Sequence, residues 1–210
     1  MTHLRAAALA LLLSPGLAAA QDLPDCTALP PGEAGGVDCT LPAPEGGTLT
    51  FRFADGTATF TETDGQGGTV FTSDPVGIEQ TMSAPALRDI DGDGLGEMFL
   101  PYAAGMVNVS EHVFARAGEG WQRIGEIHGF GAETHTLRDD GIIVSYERDG
   151  AARYYETGHA IRDGALTPVF VLLADYETET CSLVEGADGL AAAGLSHEAL
   201  IEECERQFAG

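Results

Sequence analysis

Short strand-like segments joined by Asp-Gly pairs constrain the fold of this chain more than any other feature of its sequence. Residues 48–63 alternate apolar with polar or small side chains on both sides of Asp55-Gly56. An Asp-Gly pair between two alternating segments is a strong β-hairpin signal, because both residues tolerate the left-handed backbone of a tight turn. Further Asp-Gly pairs stand at 140–141, 149–150 and 163–164. The sequence therefore predicts a mainly β protein, an antiparallel meander arranged as a sandwich or as propeller-like blades.

The same patterning predicts further strands and one helix. Strands are predicted at residues 69–72, 121–127, 134–137, 142–147, 151–157 and 166–173. The last of these contains the apolar run 169–173, which is typical of a strand buried on both faces. A single C-terminal α-helix is predicted over 197–208, because Ser196 can cap it and Glu198 suits the positive end of the helix dipole.

Residues 1–20 have the pattern of a cleaved secretory signal peptide. Arg5 precedes the apolar run 6–13, and the small residues Ala18-Ala19-Ala20 follow it. The apolar run is too short to span a bilayer, which takes about 20 residues. No later segment has the length and apolarity to do so. We therefore expect a periplasmic or secreted protein that does not contact the membrane after signal cleavage.

The charge of the chain is strongly negative. It has 10 Lys and Arg residues against 33 Asp and Glu residues, for a formal net charge of −23 at pH 7. A field of this sign repels nucleic acid and anionic lipid head groups, and it attracts cations and basic proteins. An acidic, salt-adapted surface that serves only solubility is the alternative interpretation of this charge.

Four cysteines follow the predicted signal peptide, and an even number in an exported chain indicates disulfide bonds. Four cysteines allow three pairings, and spacing alone does not choose among them. We favour Cys26–Cys39 and Cys181–Cys204, because each closes a local loop. The first pairing would pin an irregular N-terminal segment over 21–47, which is rich in Pro and Gly. Residues 48–210 would then form a single β-rich domain.

The segment 89–97, DIDGDGLGE, is the candidate metal-binding loop. Its candidate ligands are Asp89, Asp91, Asp93, Glu97 and the backbone carbonyl of Leu95. Ca²⁺ binds six to eight oxygen atoms, and alternate carboxylates in a tight loop can converge on one point. Gly94 permits the sharp turn, whereas Leu100 stands where an EF-hand has its bidentate Glu. The sequence predicts one Ca²⁺ here, and a solvated acidic turn is the alternative.

The loop resembles the calcium loops of FG-GAP and VCBS repeats, which follow the pattern Asp-x-Asp-Gly-Asp-Gly-x-x-Asp with strands on either side. Glu97 stands where those repeats have their final Asp, and the chain has a single copy. The resemblance therefore implies a calcium loop between two strands, and it does not imply a propeller of many such repeats.

The wider context resembles exported β-rich immunity proteins with one calcium loop, the xanthomonad type IV secretion immunity family, which is related to periplasmic lysozyme inhibitors. The signal peptide, Leu87-Arg88-Asp89 and the stretch 105–127 carry this resemblance. It implies a calcium-stabilised binding protein that inhibits a cell-wall lytic enzyme. Such enzymes are often basic, so an acidic surface would steer them toward this protein.

The sequence has no recognisable catalytic motif. The five histidines after the signal peptide lack HxH or HExxH spacing, and GxSxG and Walker motifs are absent. We therefore expect a protein that acts by binding and is not an enzyme, with inhibition of a basic peptidoglycan hydrolase as the leading hypothesis. A calcium-binding adhesion or calcium-buffering module is the alternative, and a secreted hydrolase is the third.

Overall fold

The predicted fold class is confirmed, since three antiparallel sheets follow one another along the chain and helices lie at its C-terminal end. The computed structural model describes residues 22–30, 32–130 and 135–209. The predicted signal peptide at 1–20 lies outside these ranges, so its assignment stays a prediction. Strands that are neighbours in sequence pair with one another throughout the second and third sheets and, with the exception of one short strand, in the first.

The first sheet contains five strands. These are β1 (Cys39–Pro42), β2 (Thr48–Ala54), β3 (Thr57–Thr63), β4 (Thr69–Thr72) and β5 (Val76–Gly77). The order is β1-β2-β3-β4, and β5 pairs with the other part of β3. The predicted hairpin over 48–63 is confirmed: Asp55 and Gly56 have φ values of 51° and 72°, as a type I′ turn requires.

The N-terminal segment is more regular than the sequence predicts. Within residues 21–47, predicted to be irregular, β1 pairs with β2 along the edge of the first sheet. Leu41 in β1 is 3% exposed and belongs to the main core. The alternation of Cys39 and Leu41 with polar neighbours is too short to stand out among the prolines and glycines around it. A short 3₁₀ helix at Cys26–Ala28 accounts for another part of this segment.

The second sheet lies in the middle of the molecule and is apolar on both faces. Its strands are β6 (Ala86–Arg88), β7 (Glu97–Ala104), β8 (Asn108–Ala117) and β9 (Gly120–Phe130). Met98 and Leu100 point into a core shared with the first sheet. Phe99, between them, points into a second core with Ile143 of the next sheet. Because successive side chains of a strand face opposite ways, the run from 97 to 101 is buried throughout.

The third sheet carries the C-terminal helices on its outer face. Its strands are β10 (His135–Leu137), β11 (Ile143–Arg148), β12 (Arg153–Arg162), β13 (Ala165–Asp175) and β14 (Thr180–Glu185). Helix α1 (Ala187–Ala193), absent from the sequence prediction, packs on β13 through the buried Leu190. Helix α2 (His197–Glu205) continues as a 3₁₀ turn at Arg206–Ala209, and together they cover the predicted span.

Both favoured disulfides are present. Cys26 bonds to Cys39, and Cys181 of β14 bonds to Cys204 of α2. The Ser196 hydroxyl accepts a hydrogen bond from the amide of Ala199, so the predicted cap is confirmed. The two disulfides are consistent with an exported protein, because such bonds persist in oxidising compartments. Within the described ranges, no helix has the length and apolarity needed to cross a membrane.

Candidate metal site

The acidic loop connects β6 to β7 and is anchored at both ends. Arg88, the last residue of β6, pairs in register with Glu97, the first residue of β7. Between them Ile90 is 1% exposed and packs in the core with Phe99 and Ile143. The loop is therefore held against the second and third sheets by an apolar side chain, and Asp89, Asp91 and Asp93 remain exposed.

Three of the predicted carboxylates converge. One oxygen each from Asp89, Asp91 and Glu97 can be chosen so that all three lie within 4.8 Å of one another. Gly92 and Gly94 adopt φ values of 78° and 87°, a conformation that favours glycine. Their amides donate to the two carboxylate oxygens of Asp89, at 2.8 and 3.0 Å. The backbone of the loop thus fixes the orientation of its first acidic side chain.

Glu97 is the buried member of this cluster. Glu97 is 4% exposed, and its Oε2 accepts a hydrogen bond from the amide of Ile90 at 3.0 Å. Burial, followed by the negative charges of Asp91 and Asp93, raises the pKa of Glu97 to about 7. An ionised carboxylate at this position therefore carries a free-energy cost that a nearby cation would offset.

The other two predicted ligands lie at the exposed tip of the loop. The carboxylate of Asp93 is not one of the three that converge, and its Oδ1 accepts a hydrogen bond from the amide of Leu95 at 2.7 Å. Leu95 is 47% exposed. Ligation by Asp93 and by the Leu95 carbonyl stays a prediction.

The arginine that directly precedes the loop is already engaged. Arg88 forms an ion pair with Glu111 at 2.8 Å, and its guanidinium lies 4.4 Å from the centre of the Phe99 ring. His135 stacks on the same ring, and burial followed by the charge of Arg88 lowers its pKa to about 4. Across the described part of the chain, no arginine or histidine forms an ion pair with an acidic side chain of this loop.

A second polar cluster, which the sequence analysis did not identify, lines a groove of about 870 Å³ between the first and second sheets. Tyr102 stacks on His112 with ring centres 4.0 Å apart. The Tyr102 hydroxyl donates to Glu126 at 2.9 Å, and His112 Nδ1 lies 3.3 Å from the same carboxylate. Only the register of β8 and β9, which pairs His112 with Glu126, could have indicated this cluster.

The carboxylate of Glu126 is already held by its neighbours. Partial burial raises its pKa, but the hydrogen bond from Tyr102 and the charge of Arg123 outweigh this and leave the pKa below its ordinary value. Arg123 also forms an ion pair with Glu126. A carboxylate stabilised in its charged form is a poor proton donor or acceptor near neutral pH. The cluster is therefore better suited to joining neighbouring strands of the second sheet than to acid–base chemistry.

Comparison of the chain with protein-family models, with curated proteins and with solved structures finds no significant match.

Proposed function

We propose that this chain is an exported calcium-binding protein, periplasmic or secreted, which acts by binding and inhibits a basic peptidoglycan hydrolase. The ion would be structural: bound between β6 and β7, it would fix the loop that joins two strands of the central sheet. No catalytic step is assigned to the protein. The Ca²⁺ ligands would be Asp89, Asp91 and Glu97, joined by Asp93 and the carbonyl of Leu95.

The observation that carries the calcium proposal is the position of Glu97. A carboxylate that is 4% exposed lies beside two others, and no basic side chain in the described residues neutralises the group. Buried charges in proteins are ordinarily paired or coordinate a metal. Carboxylate and carbonyl oxygens in a short glycine-containing loop are ligands that Ca²⁺ prefers. The residues present therefore fit a hard divalent cation.

The proposed partner follows from charge and from the resemblance described above. A protein with a net charge of −23 attracts basic proteins over a distance set by the ionic strength. Enzymes that degrade the anionic cell wall are frequently basic, so the two fields would be complementary. The two disulfides are consistent with the oxidising compartment in which such enzymes act.

A hydrolase panel tests this function. Peptidoglycan cleavage by basic lysozymes and by transglycosylase, amidase and endopeptidase effectors would be followed with micromolar protein, in 2 mM Ca²⁺ and again with a chelator. We expect at least one enzyme to be inhibited in Ca²⁺, with weaker inhibition in chelator. The Asp91→Asn variant should show the weaker inhibition in both conditions, whereas the exposed Glu119→Gln variant should match the wild type. Full activity of every hydrolase in both conditions would overturn the inhibitor proposal.

A further inference from the structure

A separate groove lies on the outer face of the third sheet, next to the 3₁₀ turn at Arg206–Ala209. Its volume is about 700 Å³. Its lining combines aromatic rings with one carboxyl and one amide: Phe130, Tyr146, Tyr154, Tyr176, Glu156 and Gln207. Neither the acidic loop nor the polar cluster between the first two sheets contributes to it.

Three aromatic rings stand at steep angles to one another along this groove. The ring of Tyr154 is 6.5 Å from that of Phe130, with an angle of 85° between their planes. It is 5.6 Å from the ring of Tyr176, with an angle of 77°. Phe130 is 42% exposed and Tyr176 is 46% exposed, so both leave ring surface open to a ligand. The groove is therefore lined by three aromatic rings in edge-to-face contact, two of which are partly exposed.

A buried carboxyl group lies among these rings. Glu156 is two residues after Tyr154 on β12, so their side chains share one face of the sheet. It is 6% exposed, and its Oε2 accepts a hydrogen bond from the Gln207 amide at 3.3 Å. Burial raises its pKa, so a cation in the groove would stabilise its charged form. Arg138, the nearest positive charge, is paired with Asp140 and Glu203.

We propose that this groove receives a positively charged side chain, a lysine or an arginine, presented by a protein partner. Aromatic faces attract a cation through their quadrupoles, and the attraction grows when the cation is shielded from water. Glu156 would supply the opposite charge at the bottom of the groove. The alkyl part of the basic side chain would cover the exposed surfaces of Phe130 and Tyr176.

The hairpin tip beside this groove favours a protein partner over a free small cation. At the turn between β7 and β8, Met106 is 100% exposed and Val107 is 37% exposed. The tip is held in place by Asn108, whose side chain exchanges hydrogen bonds with the backbone of Arg148 at 2.8 and 2.9 Å. Asn108 pairs in register with Phe130, and Arg148 with Tyr154. A preorganised apolar tip beside an acidic aromatic groove suits a basic protein surface. The claim that this site contacts the hydrolase rests on the proposed function. The affinity of the groove for a basic side chain is independent of that function.

Tyrosine-ring NMR signals of the full chain, with and without Ca²⁺, test the inference. The probes are Nα-acetyl-lysine methylamide, the neutral Nα-acetyl-norleucine methylamide, and N-acetylglucosamine trimer as a saccharide. We expect the lysine probe to shift the Tyr154 and Tyr176 signals, with at least ten-fold weaker binding of the norleucine probe. Glu156→Gln should weaken binding of the lysine probe at least ten-fold. Tyr155→Leu alters the neighbouring tyrosine on the opposite face and should leave that binding unchanged.

Each other outcome counts against the groove assignment. Equal binding of lysine and norleucine probes would show an apolar groove only, and preferential binding of the trimer would show a saccharide site. Binding that survives Glu156→Gln would remove the role of the carboxyl. If that variant does not fold, Tyr176→Ala replaces it and should weaken lysine binding at least three-fold. Failure here with an intact calcium response overturns this inference alone, whereas an absent calcium response with intact lysine binding overturns only the calcium site.

Discussion

At the scale of single residues, the calcium proposal depends on one buried carboxylate, Glu97, beside the exposed carboxylates of Asp89 and Asp91. The spacing of Asp89, Asp91, Asp93 and Glu97 predicted that four carboxylates would converge. The loop brings one oxygen each of Asp89, Asp91 and Glu97 within 4.8 Å, and Asp93 is not among them. Spacing could not distinguish the buried Glu97 from its exposed neighbours, because its burial depends on the third sheet. The sequence also did not show that Tyr154 and Glu156 line a groove, because Gln207 of the 3₁₀ turn, which lines the same groove, is distant from them in sequence.

Replacing Glu97 tests the cost of its buried charge. Because the pKa is raised from 4.5 to about 7, the folded state binds more protons than the unfolded state between these values. The free energy of unfolding of the metal-free protein therefore falls as pH rises through this window. In chelator at pH 8, Glu97→Gln should raise the free energy of unfolding by up to about 3 kcal/mol, measured by urea unfolding.

The same variant should not respond to Ca²⁺, whereas the wild type should gain stability. Glu119→Gln changes an exposed carboxylate and serves as the matched control. Destabilisation by Glu97→Gln in chelator at pH 8 would contradict the assigned cost of the buried charge.

His159 gives a pH dependence of the opposite sign. It is 5% exposed, and burial followed by the charge of His128 lowers its pKa to about 4. The unfolded state thus binds more protons between pH 6.5 and 4, and the free energy of unfolding falls as pH falls through this window, by up to about 3 kcal/mol. In urea unfolding at a series of pH values, His159→Gln should flatten the dependence of the free energy of unfolding on pH between pH 6.5 and 4. His197→Gln should leave that dependence unchanged.

The urea profiles for His159 are best compared in the Glu97→Gln background, because Glu97 titrates in an overlapping range. If the free energy of unfolding of His159→Gln in this background falls as steeply between pH 6.5 and 4 as that of Glu97→Gln alone, another titrating group causes the loss of stability.

At the scale of elements, the turns were predictable and one helix was not. Asp163-Gly164 forms the same left-handed turn as Asp55-Gly56, with φ values of 50° and 73°, so local chemistry alone fixed the hairpin between β12 and β13. Helix α1 has seven residues, begins after Gly186 without a side-chain cap, and includes Gly189. A helix this short is marginal by itself and is stabilised by its packing on β13.

Gly189→Ala separates helix propensity from this packing. Propensity alone predicts stabilisation by about 1 kcal/mol, because Ala is the better helix former. A Cβ at this position would lie 2.3 Å from the carbonyl oxygen of Val169, so the structure predicts net destabilisation instead. The free energy of unfolding from urea titration decides the sign. The exposed Ala192→Gly change in the same helix is the control: it measures helix propensity without a clash and should destabilise by about 1 kcal/mol.

At the scale of the whole molecule, the sequence predicted an antiparallel meander but not which sheets pack against one another. The apolar run 98–101 in β7 did not reveal that Met98 and Phe99 enter different cores, because the neighbouring sheets define those cores. The net charge, in contrast, is a property that composition alone provides.

That charge predicts a salt-dependent encounter with the partner. For the hydrolase that the inhibition panel identifies, the association rate constant should fall at least ten-fold between 20 and 500 mM NaCl, since screening shortens the range of attraction. Surface plasmon resonance at a series of salt concentrations measures it. An association rate constant that does not change with salt concentration would contradict electrostatic steering of the partner.

The most direct test of the calcium proposal is the melting temperature of the chelator-treated protein before and after addition of 10 mM Ca²⁺. With a dissociation constant of about 10⁻⁴–10⁻³ M, as in extracellular calcium modules, the gain is about 1.4–2.7 kcal/mol. This corresponds to a rise of about 3–10 °C for a chain of this size, and it should be absent in Asp91→Asn. Identical melting curves for the wild type in chelator and in Ca²⁺ would contradict the proposal.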